Sequence, residues 1–306
     1  MPDSRSHKAR SFHVQRVARE AYALIWDTDD STFGGYGANQ GFLVLEESVL
    51  VFDTGLSLAQ ARALDGEISK VTEKKIRYIV NSHDHSDHVF GNSYFAGRYA
   101  KNGLDIISHV NCKRRLQAEG PARLKGYAKI SGMQPFLKSI KITEPQMTYP
   151  DVGFELNLEG TELIFVHPPT GAHTLGDTLL CVPKRNLIFA GDVVWNFFLP
   201  NLEDANLEGW IDFLEDGIDT ETYRICVPGH GAICGASEIL FFKQYLKCVR
   251  ERLTEVGGRL EPNHKKNVNR TELRTCFEIP GTEDWKLRFI IDHNVDKLFF
   301  GKRGFR

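Results

Sequence analysis

"YIVNSHDHSDHVFGN", residues 78–92, packs three histidines and two aspartates into the six positions from His83 to His88. The whole chain has 306 residues and only 11 histidines, so this concentration needs a cause. The apolar run before it reads as a buried strand, which places the cluster at a strand's C-terminal end. Burying these groups together without a cation would leave several polar atoms needing partners at once. A metal-binding tag would lie at a terminus, not after a core strand. The stretch therefore reads as a metal site. Imidazole nitrogens and carboxylate oxygens suit zinc, and also iron or manganese. In extended chain His83 and His85 point the same way and reach one ion. Asp87 and His88 follow a turn and reach a second. Asp84, between the first two histidines, should point away from them and bond to nearby backbone.

Working outward, strand and helix patterns alternate. "GFLVLEESVLVFDTG" (41–55) reads as a hairpin around Glu46–Glu47. Ser57 caps a helix with apolar residues at Leu58, Ala61, Leu64 and Ile68. "LDIISH" (104–109) is a short strand, and residues 110–128 have a helical pattern. Residues 133–151 carry three prolines and read as a loop-rich insertion; residues 111–150 together read as a lid over the pocket. Two more hairpins follow, turning at Glu159–Gly160 and after Val182. "YRICVPGHG" (223–231) is a strand ending in His230, and "SEILFFKQYLKCVRERLTEV" (237–256) is a long amphipathic helix. Mixed strands and helices of this kind favour a layered α/β fold, and such folds place their chemistry at strand ends. Residues 1–12 read as a disordered tail, 13–257 as the main domain, and 258–306 as an extension that docks on the domain or forms a homodimer contact. The glycine loop "FGGYGANQ" (33–40) reads as a rim loop without a nucleotide-binding fingerprint.

Composition narrows the function. A net charge of −2 without single-sign blocks lacks the electrostatic footprint of a nucleic-acid binder. No apolar run reaches the length of a membrane span, and the N-terminus lacks a signal-peptide core, so the expected location is cytoplasmic. The six cysteines form no C-x-x-C pair, which suits reduced thiols in a cytosolic protein.

The spacing H-x-H-x-D-H resembles that of the metallo-β-lactamase superfamily. So do "VFDTG" (51–55), "GAHTLGD" (171–177), "FAGD" (189–192) and "VPGHG" (227–231), in that order and each after an apolar strand. The resemblance implies a four-layer αββα sandwich and a two-metal centre binding two divalent ions, zinc foremost. His83, His85 and His173 would hold one ion, Asp87, His88 and His230 the other, and Asp192 would bridge them. Asp53 and Asp177 would orient ligating imidazoles. Trp195, Asn196 and Phe197 would line the mouth and bind a small-molecule substrate. His109 and His167 are weaker candidates for the neighbourhood of the site.

The activity implied is hydrolysis of an ester-like bond (thioester, lactone, β-lactam or phosphodiester) by a metal-bridging hydroxide, with Asp87 carrying a proton to the leaving group. "HSDHVFGN" and "GDVVWNFFLPN" are similar to the generic glyoxalase II-like and quinoprotein-relay-like branch. Asp192 stands where one lactamase subclass places a cysteine, and Trp195 stands where homoserine-lactone hydrolases place a tyrosine. The alternative on the same fold is a persulfide dioxygenase with a single iron, which would not need His230. A flavin-linked di-iron reductase would carry glutamate in place of His85. A non-enzymatic scaffold would have lost ligands, and all seven are present.

Overall fold

The computed structural model describes residues 12–27, 37–130, 132–150, 153–259 and 269–300. The expected disordered tail lies outside them except for Phe12, which begins a strand, and residues 33–36 of the glycine loop lie outside them too.

The N-terminal half builds one sheet. Its strands are β1 (Phe12–Ala18), β2 (Ala21–Trp26), β3 (Gln40–Val44) and β4 (Ser48–Phe52), then helix α1 (Leu58–Val71) and β5 (Lys75–Val80). Helices α2 (Ser86–Val89) and α3 (Asn92–Tyr99) precede β6 (Asp105–His109). Helices α4 (Val110–Tyr127) and α5 (Gln134–Leu137) lead to β7 (Met147–Tyr149). These seven strands lie in sequence order, antiparallel up to β4 and parallel from β4 to β7. The segment expected to be loop-rich thus contains a short helix and an edge strand. Pro135 sits in the first turn of α5, and Pro145 and Pro150 flank β7, where no ladder hydrogen bond is lost.

The second half repeats the plan. Strands β8 (Gly153–Leu158), β9 (Thr161–Val166), β10 (Leu179–Val182) and β11 (Leu187–Trp195) run antiparallel. Helix α6 (Leu207–Asp216) crosses over to β12 (Ile225–His230), which pairs parallel to β11. Helices α7 (Ala236–Arg259), α8 (Arg270–Arg274) and α9 (Ile290–Phe300) complete the described chain.

Strand alternation sorts the apolar side chains into layers. Leu43, Leu50, Phe52, Val80 and Ile107 of the first sheet meet Phe165, Leu180, Val182, Phe189 and Val227 of the second. The outer face of the first sheet (Phe42, Val49, Val51, Ile79) packs on Ala61, Leu64 and Ile68 of α1 and Phe95 of α3. The outer face of the second (Cys181, Ile188, Ala190) packs on Trp210, Phe242, Leu246 and Val249 of α6 and α7. Ile290, Ile291 and Val295 of α9 join that same cluster. The order is therefore helix, sheet, sheet, helix: the four-layer α/β sandwich. The hairpin turn at Glu159 (φ +50°) ties the sheets together, because its carboxylate accepts from Ser48 Oγ at 2.6 Å and from the amides of Glu47 and Ser48. Among the described residues no helix is long and apolar enough to cross a membrane.

Phe189 is fully buried and stacks on Phe52 across the two sheets, ring centres 5.4 Å apart. Replacing it with alanine opens a cavity in the layer that holds the sheets together. Phe189→Ala should cost about 3–5 kcal/mol of stability in urea unfolding; a loss below about 1 kcal/mol would show that this contact is dispensable.

Candidate metal centre

Three strand ends and the body of a fourth strand converge on one point. His83 and His85 follow β5, with His85 as the N-cap of α2; Asp87 and His88 lie in that single helical turn. His173 sits in the loop between β9 and β10, Asp192 lies within β11, and His230 ends β12. All seven are buried apart from His85, which is half-buried.

The donors fall into two groups: His83, His85, His173 and Asp192, and then Asp87, His88 and His230. Within each group the donor atoms lie within 4.8 Å of one another. A tetrahedral ion with bonds of about 2.1 Å spaces its ligands about 3.4 Å apart, so modest contraction closes either group on an ion. Asp192 faces both. Its Oδ2 lies 3.3 Å from His173 Nε2 and 3.8 Å from His83 Nε2, while its Oδ1 lies 3.1 Å from His88 Nε2 and 3.5 Å from His230 Nε2. His85 Nδ1 is 2.9 Å from His173 Nε2, and Asp87 Oδ2 is 3.3 Å from His230 Nε2. His83 Nε2, His88 Nε2 and Asp192 Oδ1 are buried without a hydrogen-bonding partner among the described residues. Each such atom costs about 1–3 kcal/mol if left so. A cation satisfies all three, so the residues fit the divalent ions that the family resemblance implies.

Neighbours set which imidazole nitrogen faces inward. Asp53 accepts from the Ser82 amide (2.8 Å) and Ser82 Oγ (2.7 Å), and from His88 Nδ1 at 2.7 Å. With the Ser82 hydroxyl proton committed to Asp53, His83 Nδ1 donates to Ser82 Oγ at 3.0 Å. Both rings then turn a lone-pair Nε2 toward the centre. Asp53 holds this junction from a left-handed backbone, φ +59°.

Asp177 acts differently from expectation. Its carboxylate accepts from the amides of Ala172 and Thr174 and from Thr174 Oγ1, so it shapes the loop that carries His173 and does not touch an imidazole. Burial pushes its pKa up to about 7. Asp84 points away from its histidine neighbours, but it does not bond to backbone as expected. A buried carboxylate needs charge, and it takes Arg115 Nε at 2.9 Å and Arg123 Nη1 at 2.7 Å. Burial opposes its ionisation, and these guanidiniums still hold its pKa below the usual carboxylate range.

Electrostatics separate the imidazoles. Burial, then His88 and His85, keep His83 neutral, well below its ordinary pKa. Burial opposes charge on His88 too, but Asp192, Asp53 and Asp87 surround it and raise its pKa. Asp192 ionises well below its usual range despite burial, because His88, His230 and His173 face it.

A cavity of about 270 Å³ opens from the centre, lined by His85, Asp87, Asp192 and His230 and walled by α4 and the C-terminal segment. Trp195 lines it, stacked on His230 at 4.3 Å with its Nε1 donating to the Asp192 carbonyl. Asn196 does not line it: its amide donates to the Ala232 carbonyl at 2.9 Å and fastens the loop after His230. Phe197 is half exposed on the outer surface near Phe241 and Trp285. The sequence pattern implies one rim, but strand alternation and the turn at Phe197 (φ +57°) send its members to different faces. Of the lid segment, α4 alone contributes to the lining, through Ala118, Glu119, Ala122, Arg123, Gly126 and Tyr127.

Two positioning residues carry no local signal. Asp204 Oδ2 accepts from His85 Nε2 at 3.1 Å and from Arg123 Nη2 at 3.4 Å, and forms an ion pair with Arg115 Nη2 at 2.6 Å. It turns His85 Nδ1 inward. Asn39 donates to the Pro228 and Gly231 carbonyls and its amide to Gly229, clamping the turn around His230. Gly229 is required there, since a Cβ would fall 1.9 Å from Asp192 Oδ1.

Residues 33–238 match the family model described as the metallo-beta-lactamase superfamily. The chain belongs to this superfamily, whose members are metal-dependent hydrolases. A linear primary-alkylsulfatase from Pseudomonas sp. (strain ATCC 19151) is 22% identical over 264 residues, which is 76% of this chain and 48% of the sulfatase. The chain thus spans about half the length of that relative. Among solved structures, a metallo-beta-lactamase from Pontibacter korlensis superposes with a TM-score of 0.60 at 18% identity, covering 78% of this chain and 99% of the other. One from Hirschia baltica gives 0.60 at 18%, covering 77% and 97%. One from Pseudomonas aeruginosa, solved in its mono-zinc form, gives 0.60 at 15%, covering 77% and 95%. At these identities the likeness shows the shared fold.

Asp204→Asn keeps the shape and removes the charge behind His85. Affinity for the first ion should fall about 10–100-fold in competition with a chelating dye. Unchanged affinity would restrict Asp204 to holding α4.

His109 and His167 lie away from the donors. Their rings stack on each other at 3.7 Å, and His167 Nδ1 donates to the Asp177 carbonyl. Burial, then His167 and Arg114, push the His109 pKa down from 6.5 to about 4. The unfolded chain therefore takes up this proton first. The stability contributed by neutral His109 is complete above about pH 6.5 and is lost as pH falls toward about 4. His109→Asn retains an acceptor for the α4 N-terminus and should flatten the fall in urea midpoint across that window; an unchanged slope would assign the acid sensitivity elsewhere.

Proposed function

We propose that this protein is a binuclear metal-dependent hydrolase that cleaves an ester-like bond. The observation that carries this reading is the position of Asp192, whose two carboxylate oxygens each face a separate group of donors. The nitrogen and oxygen donor set suits zinc, with iron or manganese compatible. When bound, a pair of such ions acidifies water near neutral pH and polarises the bond to be broken.

The chain's own residues supply the rest. His83, His85 and His173 would hold one ion and Asp87, His88 and His230 the other, with Asp192 between the two groups. With Asp87 and Asp192 as the two anionic donors, two divalent ions leave the centre positively charged, ready for an anionic transition state. Asp87 lines the cavity, where its carboxylate would take the proton released by the attacking water and pass it to the leaving group. Trp195 walls the substrate against His230. Thioesters, lactones, β-lactams and phosphodiesters are candidate substrates, and the likeness to an alkylsulfatase adds sulfate esters.

Elemental analysis of the purified protein, paired with a panel of those substrates, tests the reading. The expected result is two ions per chain with turnover of at least one class. Asp87→Asn should lower kcat by about 10²–10⁴-fold. Two ions with no turnover of any class would sink the hydrolase; a single iron with sulfite production from a persulfide would make the protein the dioxygenase instead.

A further inference from the structure

We infer that the cavity beside the metal centre is a slot for the uncharged aliphatic part of an ester-type substrate, with the C-terminal segment as one of its walls. This rests on the hydrolase reading above and names the substrate class for that site.

The floor of the cavity is the metal centre itself: Asp192, whose buried Oδ1 has no hydrogen-bonding partner, lines it beside Asp87 and His230. One wall is α4, where Ala118, Ala122 and Gly126 recur every four residues and share one helix face. Without bulky side chains they leave a groove along the helix, and both alanines are exposed, so the groove opens to solvent. The facing wall is Leu287 and Ile290, which are 1% and 5% exposed. An aliphatic chain laid between these walls would run from solvent to the donors.

Charge argues for the same occupant. The guanidinium in the lining is that of Arg123, and its contacts are filled. Nη1 donates to the Asp84 carboxylate and carbonyl, and Nη2 to Glu119 and Asp204. The other charged side chains of the upper lining are acidic. Glu119 pairs with Arg115 and Arg123, and Glu203 pairs with His293 at 3.1 Å and Lys297 at 3.8 Å. A substrate bearing a second carboxylate away from the scissile bond would meet Glu119 and Glu203 and, among the described residues of this lining, no open cation. A substrate whose far end is a hydrocarbon pays no such penalty and buries its methylenes against Leu287 and Ile290.

The test uses the full chain loaded with zinc and a series of p-nitrophenyl esters from acetate to decanoate. Burying a methylene is worth about fourfold in affinity, so kcat/KM should climb about that much per carbon over the first additions. Ala122→Phe and Ala118→Phe, both at exposed helix positions, fill the groove and should cut the decanoate-to-acetate ratio about tenfold or more. Ile290→Ala, checked for folding by circular dichroism, should lower the same ratio. The p-nitrophenyl monoester of decanedioic acid should be at least about tenfold poorer than the decanoate. A flat chain-length profile, or variants that slow every ester equally, overturns the slot. If none of these p-nitrophenyl esters is turned over, the hydrolase reading still rests on the wider substrate panel and calorimetry decides the slot alone. Decylphosphonate binding at least about tenfold tighter than methylphosphonate, with the gap lost in Ala122→Phe, sustains it; equal affinities overturn it.

Discussion

The carboxylate of Asp192 is the interaction on which the centre depends. One oxygen faces His83 and His173, the other His88 and His230, and the strand that carries it pairs directly with the strand that ends in His230. Everything around it keeps that carboxylate uncrowded. Gly229 lacks the Cβ that would strike it, and Trp195 covers its backbone carbonyl. The sandwich explains why such a group can be buried at all. Two sheets pressed together at Phe52 and Phe189 exclude water from the interior, and the strand ends supply a ring of imidazoles that face the charge.

The candidate donors are legible in the sequence because each lies near the end of an apolar strand or in the loop after it, within a short motif. The period-two pattern alone places His83 and His85 on one side and sends Asp84 to the other. Alternation of strands and helices identified a layered α/β fold, and the ordered motifs carried its four-layer form. What sequence could not show were contacts between distant segments. Asp204 reaches His85 across 119 positions, and Asn39 reaches the His230 turn across about 190. Nothing local marks either residue, since an aspartate in a loop and an asparagine beside a glycine-rich loop are ordinary turn chemistry. The misplacement of Asn196 and Phe197 has a different origin. A run of four aromatic and amide residues reads as one surface, but a single left-handed turn divides it.

Helix α4 links the cavity to the metal centre. Arg115 and Arg123 hold Asp84 beneath the donors and Asp204 behind His85, so the helix that forms the groove also steadies one half of the centre. Its other anchor is apolar: Leu116 packs with Phe90, Met133 and Leu137. Asp204 in turn belongs to a loop fastened by α9, where Asn294 bonds the Pro200 carbonyl and the Leu202 amide and His293 bonds Glu203. Shape of the cavity and orientation of His85 are therefore set by the same few contacts.

The clamp of Asn39 on the turn around His230 has a consequence for folding. It joins the residue before β3 of the first sheet to the last strand of the second, so the His230 turn reaches its final place only when both halves have closed on each other. Ions bound there favour the completed chain alone. By mass action, free metal acts as a reservoir of stability for the whole molecule: each tenfold rise in its concentration above the dissociation constant adds about 1.4 kcal/mol. Metal supply in the cell would then govern how much of this protein survives quality control, independently of how fast it turns over substrate.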